Sequence, residues 1–457
     1  MIQNVSVIGL GKLGASMAGA FASRGLNVIG VDINQQSVDL VNEGRAPVQE
    51  TDLEKYISEN RERIHATLNH EEAVLNSDIS FVIVPTPSDE NGSFSLQYAG
   101  WAYKELGRAI GKKDGYHNVV LTSTVLPGAS RYGLLPILEK QSGKNAGQDF
   151  GVCYSPEFIA LGSIINDFLH PDFTLLGELD TKCGDQVEDI YRRVMLNGAP
   201  CKRMSLENAE LTKISVNAFV TTKISFANML ADLCEEIPGG DVDVVTDALG
   251  ADKRIGAKYL KGAISFGGPC FPRDNVALGY LAKQLGRQAV ISETTDMYNR
   301  SIPEAIVERV KPMAGKGKTV AVLGLSYKPM SHVVEEAAGI FLARSLAASG
   351  VRVVAYDPLA NDSAASELKG KVVVLKSLQQ CLDQADVVLV TTQDKEFAEI
   401  KASDLKSGGG PVVVYDFWRA LGDDVRNSEH VKYIGAGLAK DSQKIADRLE
   451  QLWDLNP

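Results

Sequence analysis

The feature that most constrains the fold is a glycine pattern near the N-terminus. A β-rich run from Asn4 leads into Gly9-Leu-Gly11-Lys-Leu-Gly14, a helical stretch continues through Phe21, and a second predicted strand ends at Asp32. In such a unit the first glycine permits a tight turn, the second lets a ligand approach the backbone, and the third lets the helix pack on the strand. The sequence therefore predicts an α/β chain that begins with a doubly wound, parallel sheet.

The same unit predicts a dinucleotide site. A pyrophosphate binds at a helix N-terminus, and an acid at the end of the second strand binds the ribose diol. Asp32 is followed by Ile33-Asn-Gln-Gln-Ser37, which contains no arginine or lysine for a 2′-phosphate, so we expect NAD rather than NADP. The candidate cofactor contacts in this unit are Gly9, Gly11, Lys12, Leu13, Gly14 and Asp32.

Further predicted strands end in small polar residues. Strands are predicted at 79–84 and 119–124, and hydroxyl residues Thr86, Ser123 and Thr124 stand at or just after their ends. Because strand ends line the crevice of a doubly wound sheet, these hydroxyls are candidate cofactor contacts, with ordinary strand-end capping as the alternative. Another strand closes in the segment 153–158, which offers Glu157 to the same crevice.

A long helix is predicted from Leu206 to about Glu236, since the segment contains no proline or glycine and Ser205 can cap it. At about 1.5 Å per residue it would be about 45 Å long, enough to connect two domains. Lys213 and Asn217 lie four residues apart and therefore share one face. Ligand binding is the functional interpretation of this pair, and a solvated polar stripe is the alternative.

One cysteine stands in a distinctive setting. Cys270 follows Gly267 and Gly268 and precedes Pro272, where a helix is predicted to start. Unpaired N–H groups and the positive end of the helix dipole favour a thiolate there, so Cys270 is a candidate nucleophile. The alternative is a buried structural cysteine. Asp274, one helical turn further on, is expected near the same pocket.

A second α/β unit without a GxGxxG motif is predicted after a boundary at 313–318. It has predicted strands at 318–328, 351–357, 386–391 and 411–416 and a predicted helix at 337–349. The fold class that we expect is therefore α/β, with two Rossmann-like doubly wound domains joined by a long central helix.

Composition excludes several other classes of protein. The 457 residues carry a net charge of -11 and form no basic stripe, so we expect no nucleic-acid partner. We also expect a cytoplasmic protein without a membrane partner, because no signal sequence or membrane-spanning apolar run is evident. The 6 cysteines and 6 histidines lack the spacing of disulfide frameworks or metal ligands, so no metal is predicted.

Several short motifs, taken together, resemble those of the UDP-glucose/GDP-mannose dehydrogenase family over essentially the whole chain. The matching segments are Gly9–Gly14, Pro85–Pro87, Ser123–Thr124, Ser155–Phe158, Ala209–Lys213, Asn217–Phe219, Arg254–Gly256, Phe266–Asp274, Lys328 and Tyr356–Pro358.

Members of that family oxidise the C6 hydroxymethyl of a nucleotide sugar to a carboxylate in two NAD-dependent steps. The resemblance implies that Cys270 forms a thiohemiacetal and then a thioester. It further implies that Lys213 and Asn217 stabilise an oxyanion, that Asp274 and Thr124 hold or activate water, and that Glu157 serves the hydrolytic step.

The resemblance also implies a substrate site and an assembly. Arg254 would reach the sugar from a partner subunit, which implies a homodimer across the central helix. The implied domains are an NAD-binding domain at 1–200, a helical dimerisation region with Cys270 at 201–312, and a nucleotide-sugar-binding domain at 313–457. The residues implied at the nucleotide sugar are Glu157, Lys213, Asn217, Arg254, Tyr259, Lys261, Phe266, Gly267, Lys328 and Arg419.

Some positions depart from the family pattern and indicate a divergent branch. Leu161 replaces a glutamate and Arg273 a lysine, while after Lys328 acidic residues and an arginine give way to Met330, Val333 and Glu335. The charge reversal at residue 335 is expected to affect NAD affinity or domain closure.

The expected substrate is UDP-glucose, with UDP-N-acetylhexosamine or GDP-mannose as open alternatives. A two-electron hydroxyacid dehydrogenase and a non-catalytic nucleotide-sugar-binding protein are the other functions that we consider.

Overall fold

The computed structural model describes residues 2–315, 317–406, 410–440 and 443–453. The chain divides into two compact units, the first comprising 1–216 and 280–286 and the second 217–279 and 287–457. The three-domain division stays a prediction, and its boundary at 313–318 includes residue 316, which lies outside the described residues.

The first unit contains an eight-stranded sheet in the order β3-β2-β1-β4-β5-β6-β7-β8. All neighbouring strands are parallel except β6 and β7, which are antiparallel. The strands are β1 (Asn4–Ile8), β2 (Asn27–Val31), β3 (Ile64–Thr67), β4 (Ile79–Val82), β5 (His117–Leu121), β6 (Phe150–Tyr154), β7 (Thr174–Glu178) and β8 (Cys201–Ser205).

Helices cover both faces of this sheet, because alternate residues of the strands enter two separate apolar clusters. Val7 packs in one cluster and Ile8 in the other, and Val120 and Leu121 divide in the same way. The helices are α1 (Lys12–Ser23), α2 (Gln35–Asn42), α3 (Leu53–Glu59), α4 (His70–Leu75), α5 (Gln97–Lys112), α6 (Leu135–Ser142), α7 (Ile164–Leu169) and α8 (Thr181–Val194).

Two helices have residues in both units, α9 (Leu206–Cys234) and α11 (Phe271–Gln284). Ser205 accepts a hydrogen bond from the backbone N–H of Asn208 at 3.3 Å, as the predicted cap requires. Two further helices of the second unit precede its sheet, α10 (Val242–Ala251) and α12 (Val290–Ala314).

The second unit contains a six-stranded parallel sheet in the order β11-β10-β9-β12-β13-β14. Its strands are β9 (Thr319–Leu323), β10 (Arg352–Tyr356), β11 (Val373–Val374), β12 (Val387–Val390), β13 (Val412–Asp416) and β14 (Val431–Gly435). Its later helices are α13 (Ala338–Ala348), α14 (Asn361–Leu368), α15 (Leu378–Leu382), α16 (Lys395–Ala398), α17 (Asp423–Arg426) and α18 (Gln443–Leu452).

The first turn of each sheet depends on a pair of glycines. Gly9 has a φ of +101°, and a Cβ on Gly14 would lie 1.8 Å from the Gly9 carbonyl oxygen. In the second unit Gly324 has a φ of +102°, and a Cβ on Gly339 would lie 2.0 Å from the Gly324 carbonyl oxygen. The second unit therefore repeats the close strand-to-helix packing of the first, although a longer loop separates its two glycines.

The acids that follow these turns differ in their surroundings. Asp32 accepts hydrogen bonds from the backbone of Leu10 and Asn34 and remains partly exposed. Asp357 is 2% exposed, and its two carboxylate oxygens accept five hydrogen bonds from the protein. The carboxylate of Asp357 therefore stabilises the loops around it and has no accessible oxygen for a ribose diol.

The structure confirms the predicted α/β class, the two Rossmann-like sheets and the long central helix. The predicted strands are present; most of them end one to five residues earlier than predicted, whereas β13 ends at Asp416 as predicted. Sequence patterns missed five strands, β3, β7, β8, β11 and β14. Within the described ranges, no helix combines the length and the apolar character that crossing a bilayer requires.

Alanine substitutions separate the roles of the glycines in the first turn. We expect Gly14→Ala to lower the free energy of unfolding by about 1–3 kcal/mol, because its methyl group would overlap the Gly9 carbonyl. We expect Gly11→Ala to change it by less than about 0.5 kcal/mol, since no atom lies within 4 Å of that Cβ position. Urea unfolding followed by circular dichroism measures both, and equal losses would contradict the packing role of Gly14.

Candidate active site

The first turn of the N-terminal unit is suited to bind an anion. Among the described residues no side chain caps α1, whose first turn includes Lys12 and Leu13, so this helix N-terminus is suited to an anion. Gly11 precedes the helix, and the space around its Cβ position is open. Asp32 stands at the end of the neighbouring strand with its carboxylate fixed by two backbone donors, at 2.7 and 2.9 Å. These residues fit the diphosphate and the ribose diol of a dinucleotide.

The hydroxyl residues at the next two strand ends contact one another. Thr86 donates a hydrogen bond to the carbonyl oxygen of Thr124 at 2.7 Å. Ser123 donates to the carbonyl of Val84 at 2.6 Å and accepts from its N–H at 2.9 Å. The structure thus brings Thr86, Ser123 and Thr124 together at one edge of the sheet, where Thr86 and Ser123 also cap strand ends as the alternative interpretation predicts.

A carboxyl group with unusual acidity follows β6. Tyr191 of α8 donates a hydrogen bond to Oε1 of Glu157 at 3.1 Å. Burial raises the pKa of Glu157 to about 7, although the hydrogen bond from Tyr191 and the charge of Lys213 oppose this rise. A carboxyl group with this pKa can accept or release a proton near neutral pH.

Lys213 lies beside this carboxyl group. Its Nζ donates a hydrogen bond to the main-chain carbonyl of Glu157 at 2.6 Å and lies 4.5 Å from the ring centroid of Phe158. The Glu157 segment therefore holds the ammonium group in place. The structure brings together the two candidates Glu157 and Lys213, which are distant in sequence.

In the second unit, Cys270 immediately precedes α11. The N–H of Asp274 donates to the Cys270 carbonyl at 2.9 Å, which forms the first helical turn. Of the six cysteines, all within the described residues, Cys270 alone is exposed. Burial as a structural thiol is therefore contradicted for this residue.

The turn that leads to Cys270 is held by a second loop of the same unit. A Cβ on Gly267 would lie 2.2 Å from the carbonyl oxygen of Glu336, and a Cβ on Gly268 would lie 2.5 Å from the ring of Tyr327. The N–H of Gly268 donates to the carbonyl of Glu335 at 3.0 Å. Only glycine fits at these two positions, so the backbone before the thiol is fixed.

Asn217, which is half-buried, is hydrogen-bonded to the buried carboxylate of Asp274. Nδ2 of Asn217 donates to Oδ2 of Asp274 at 2.6 Å, and Asp274 is 0% exposed. Arg273 contacts the other carboxylate oxygen at 3.3 Å. The structure thus joins the predicted residues Asn217 and Asp274 and gives the carboxylate a fixed orientation.

Other candidates of the second unit differ in exposure. Phe266 is buried, and its N–H and carbonyl are bound by the side chain of Asn299 at 2.8 and 2.9 Å. Tyr259 is 51% exposed and has a φ of 64°, while Nζ of Lys328 lies 5.7 Å from the Tyr327 ring centroid. Lys261 is also exposed.

The side chain of Arg254 is exposed. It forms an ion pair at 2.6 Å with Asp252, which stands two residues earlier in the sequence. With the described residues in place, 89% of the Arg254 side chain is exposed, so its guanidinium is accessible to another molecule.

Arg419 binds groups of its own unit, whereas the resemblance implied that it contacts the nucleotide sugar. Its side chain is buried, and its five N–H groups have acceptors in Asp243 and in the carbonyls of Gly262, Phe417 and Ala436. Although burial raises the pKa of Asp243, Arg419 holds that pKa below its usual value. Because every donor already has a partner, Arg419 ties α10 to the ends of β13 and β14 instead of presenting a donor to a phosphate.

Sequence reasoning missed two residues at these sites, Tyr191 and Tyr327. Tyr327 immediately precedes a motif residue, Lys328, so its position could have drawn attention to it. Tyr191 lies in an ordinary amphipathic helix, and only the fold reveals its contact with Glu157. Among the described residues, no group of three or more His, Cys, Asp or Glu side chains is arranged to hold a metal ion.

Similarity to known proteins covers nearly the whole chain. Residues 3–195 match the NAD binding domain of the UDP-glucose/GDP-mannose dehydrogenase family, residues 207–301 match its central domain, and residues 321–424 match its UDP binding domain.

Individual relatives share about a third of their residues with this chain. It is 33% identical to a GDP-mannose 6-dehydrogenase of Pseudomonas putida, covering 90% of this chain and 95% of the relative. It is 32% identical to a UDP-glucose 6-dehydrogenase of Haloferax volcanii, covering 87% and 93%. The solved structure of a UDP-glucose dehydrogenase from Pyrobaculum islandicum matches with a TM-score of 0.86 and 33% identity, covering 96% and 98%. The chain therefore belongs to the UDP-glucose/GDP-mannose dehydrogenase family of NAD-dependent nucleotide-sugar 6-dehydrogenases.

Proposed function

We propose that this enzyme oxidises the C6 hydroxymethyl of UDP-glucose to the carboxylate of UDP-glucuronate through a covalent adduct on Cys270. The observation that carries the proposal is the Cys270 thiol, which is exposed and immediately precedes α11. The glycine turn before it holds the backbone that carries the sulfur. A fixed, accessible thiol is what addition to an aldehyde requires.

The chemistry explains why a nucleophile is needed. NAD⁺, which the turn of Gly9, Gly11 and Gly14 and the Asp32 carboxylate would hold, would supply the hydride acceptor for the two oxidation steps. The aldehyde lacks a second oxygen to drive another hydride loss, so the Cys270 thiolate adds to its carbonyl carbon. The thiohemiacetal loses hydride to give a thioester, and water then cleaves the C–S bond to release the acid and the thiol.

The remaining groups serve charge and proton transfer. Lys213 and Asn217, one turn apart on α9, stabilise negative charge on the substrate oxygen. Asp274 and Thr124 orient water, and Glu157 takes the proton of the water that attacks the thioester. A pKa near neutrality lets Glu157 act as this base at physiological pH.

The binding sets follow the predicted ones, with Arg419 excluded. The cofactor set is Gly9, Gly11, Lys12, Leu13, Gly14, Asp32, Thr86, Ser123 and Thr124. The nucleotide-sugar set is Glu157, Lys213, Asn217, Arg254, Tyr259, Lys261, Phe266, Gly267 and Lys328.

UDP-glucose is favoured among the possible substrates. The match to a UDP binding domain and the structural likeness to a UDP-glucose dehydrogenase support it. A GDP-mannose 6-dehydrogenase is nearly as similar in sequence, so GDP-mannose is the competing substrate.

A homodimer is the proposed assembly. Phe219, Phe226 and Leu233 recur every seven residues along α9 and are 69%, 47% and 51% exposed. Apolar side chains on one helix face favour contact with a second copy of that face. Arg254, which is exposed and forms an ion pair with Asp252, would contact the sugar bound to the partner.

Counting reduced cofactor tests the overall reaction. With excess NAD⁺ we expect two NADH per UDP-glucose and no more than a trace with GDP-mannose or UDP-N-acetylhexosamine. Cys270→Ser should bind UDP-glucose but form the acid more than about 100-fold more slowly, because the thioester cannot form. Cys201→Ser, which removes a half-buried thiol of the other unit, is the matched control.

One NADH per sugar would instead support a two-electron dehydrogenase. No NADH with any sugar would support the non-catalytic binding protein. Unchanged acid formation by Cys270→Ser would exclude covalent catalysis.

The pH dependence of thioester hydrolysis tests Glu157. Because burial raises the Glu157 pKa to about 7, the carboxylate form is present mainly above that pH. Rapid-quench release of UDP-glucuronate should therefore increase as pH rises through about 7 and then level off. Glu157→Gln should slow release by about 100-fold or more and remove this dependence. A profile unchanged in Glu157→Gln would eliminate Glu157 as the base.

Mixing two inactive variants tests whether Arg254 acts across subunits. In a heterodimer of Arg254→Ala and Cys270→Ser subunits, the intact thiol of the first would receive Arg254 from the second. Equal mixing should restore about a quarter of the wild-type activity, since half of the dimers are mixed and each has one complete site. Activity no greater than the sum of the two parents would show that Arg254 acts within its own subunit.

A further inference from the structure

Three groups behind the candidate base form a continuous chain of hydrogen bonds. Oε1 of Glu157 lies 3.1 Å from the Tyr191 hydroxyl, which lies 2.7 Å from the Ser155 hydroxyl. The Ser155 hydroxyl in turn lies 3.1 Å from the carbonyl oxygen of Leu175. Ser155 and Tyr191 are each 1% exposed, so bulk water does not compete for these bonds.

The hydrogen atoms of this chain can be counted. Tyr191 and Ser155 have one hydroxyl hydrogen each, and the Leu175 carbonyl can only accept. When Glu157 is ionised, Tyr191 donates to Glu157 and Ser155 donates to Tyr191. In that state the Leu175 carbonyl receives no hydrogen from Ser155.

When Glu157 is protonated, the two bonds between side chains reverse and Ser155 becomes free to donate to the Leu175 carbonyl. The carboxylic acid donates to Tyr191, Tyr191 donates to Ser155, and Ser155 donates to the Leu175 carbonyl. Tyr191 both donates and accepts in each state, whereas Ser155 only donates when Glu157 is ionised and both accepts and donates when Glu157 is protonated. The only changes are rotations of two O–H bonds, and no proton moves onto Tyr191 or Ser155.

The heavy atoms of the chain are held in place by packing. The Tyr191 ring lies in edge contact with Phe81 and Phe168, with centroids 6.3 and 6.2 Å away. The N–H of Ser155 donates to the Leu121 carbonyl at 2.8 Å. The reversal therefore requires no displacement of side chains or backbone.

We propose that Tyr191 and Ser155 are positioning residues that form a reversible hydrogen-bond relay, which supports Glu157 both as a base and as an acid. Thioester hydrolysis needs both forms, since Glu157 takes a proton from water and must later release it. The proposal rests on the proposed role of Glu157.

Other charges near the relay are few among the described residues. Lys213 of α9 faces Glu157 and favours the carboxylate. The Cys201 thiol of β8 faces Tyr191, and burial raises the pKa of that thiol, which keeps it neutral. Lys213 donates a hydrogen bond to the main-chain carbonyl of Glu157 at 2.6 Å, and the Cys201 thiol is hydrogen-bonded to Thr174, so these two groups bias the relay from beside it.

Two deletions should shift the Glu157 titration in opposite directions. Tyr191→Phe removes the donor to the carboxylate, so the pKa of Glu157 should rise by about half a unit to one unit. Ser155→Ala removes the acceptor that Tyr191 needs when Glu157 is protonated, so this pKa should fall by a similar amount, about half a unit.

Infrared difference spectra of the protein without substrate measure these shifts directly. The carboxyl bands of each protein are recorded against pH, and the corresponding Glu157→Gln spectra are subtracted so that Glu157 alone is followed. The control is Tyr103→Phe, which removes the hydroxyl of another fully buried tyrosine of the same unit that has no hydrogen-bond partner among the described residues. We expect no shift in the control.

Shifts in the same direction for both variants, or no shift in either, would overturn the relay. Thermal unfolding shows that each variant is folded, so a titration that stays at the wild-type value counts against the proposal. Because the spectra need no turnover, they test the relay even if Glu157 is not the hydrolytic base. Rapid-quench hydrolysis profiles that shift as the spectra do would connect the relay to catalysis.

Discussion

The contact between a strand-end glycine and a glycine inside the next helix is the constraint on which both sheets depend. A Cβ atom at Gly14 or at Gly339 would overlap a carbonyl oxygen of the preceding strand-end glycine. The helix can therefore pack this close to the strand only if these two positions are glycine. This close approach sets where α1 and α13 begin. In the first unit the helix that begins there has no side-chain cap among the described residues, as an anion-binding N-terminus requires.

The same turn has different consequences in the two units because the acids that follow it differ. Asp32 keeps part of its carboxylate accessible after two backbone bonds, as a ribose diol requires. Asp357 is saturated by five bonds and buried. Repetition of the fold therefore does not repeat the dinucleotide site, which accords with the separate NAD binding and UDP binding matches.

Local patterns predicted much of this structure. The glycine motif, the helix from Leu206 and the position of Cys270 before a helix all depend on residues close in sequence. The structure contains the predicted glycine turn, the long helix α9 and the helix α11 that follows Cys270. The second glycine turn escaped prediction because its longer loop breaks the GxGxxG spacing. The links of Tyr191 to Glu157 and of Arg419 to Asp243 escaped because they join residues far apart in sequence, which no local period encodes.

The loop that holds the thiol turn acts largely through its main chain. Gly268 is bound by the carbonyl of residue 335, and Gly267 packs against the carbonyl of residue 336. Peptide carbonyls are common to all residue types, so the side chains at these positions can vary over evolution while the nucleophile keeps its place. The departures from the family pattern at Met330, Val333 and Glu335 fall in this loop, where substrate preference can diverge without disturbing the reactive sulfur.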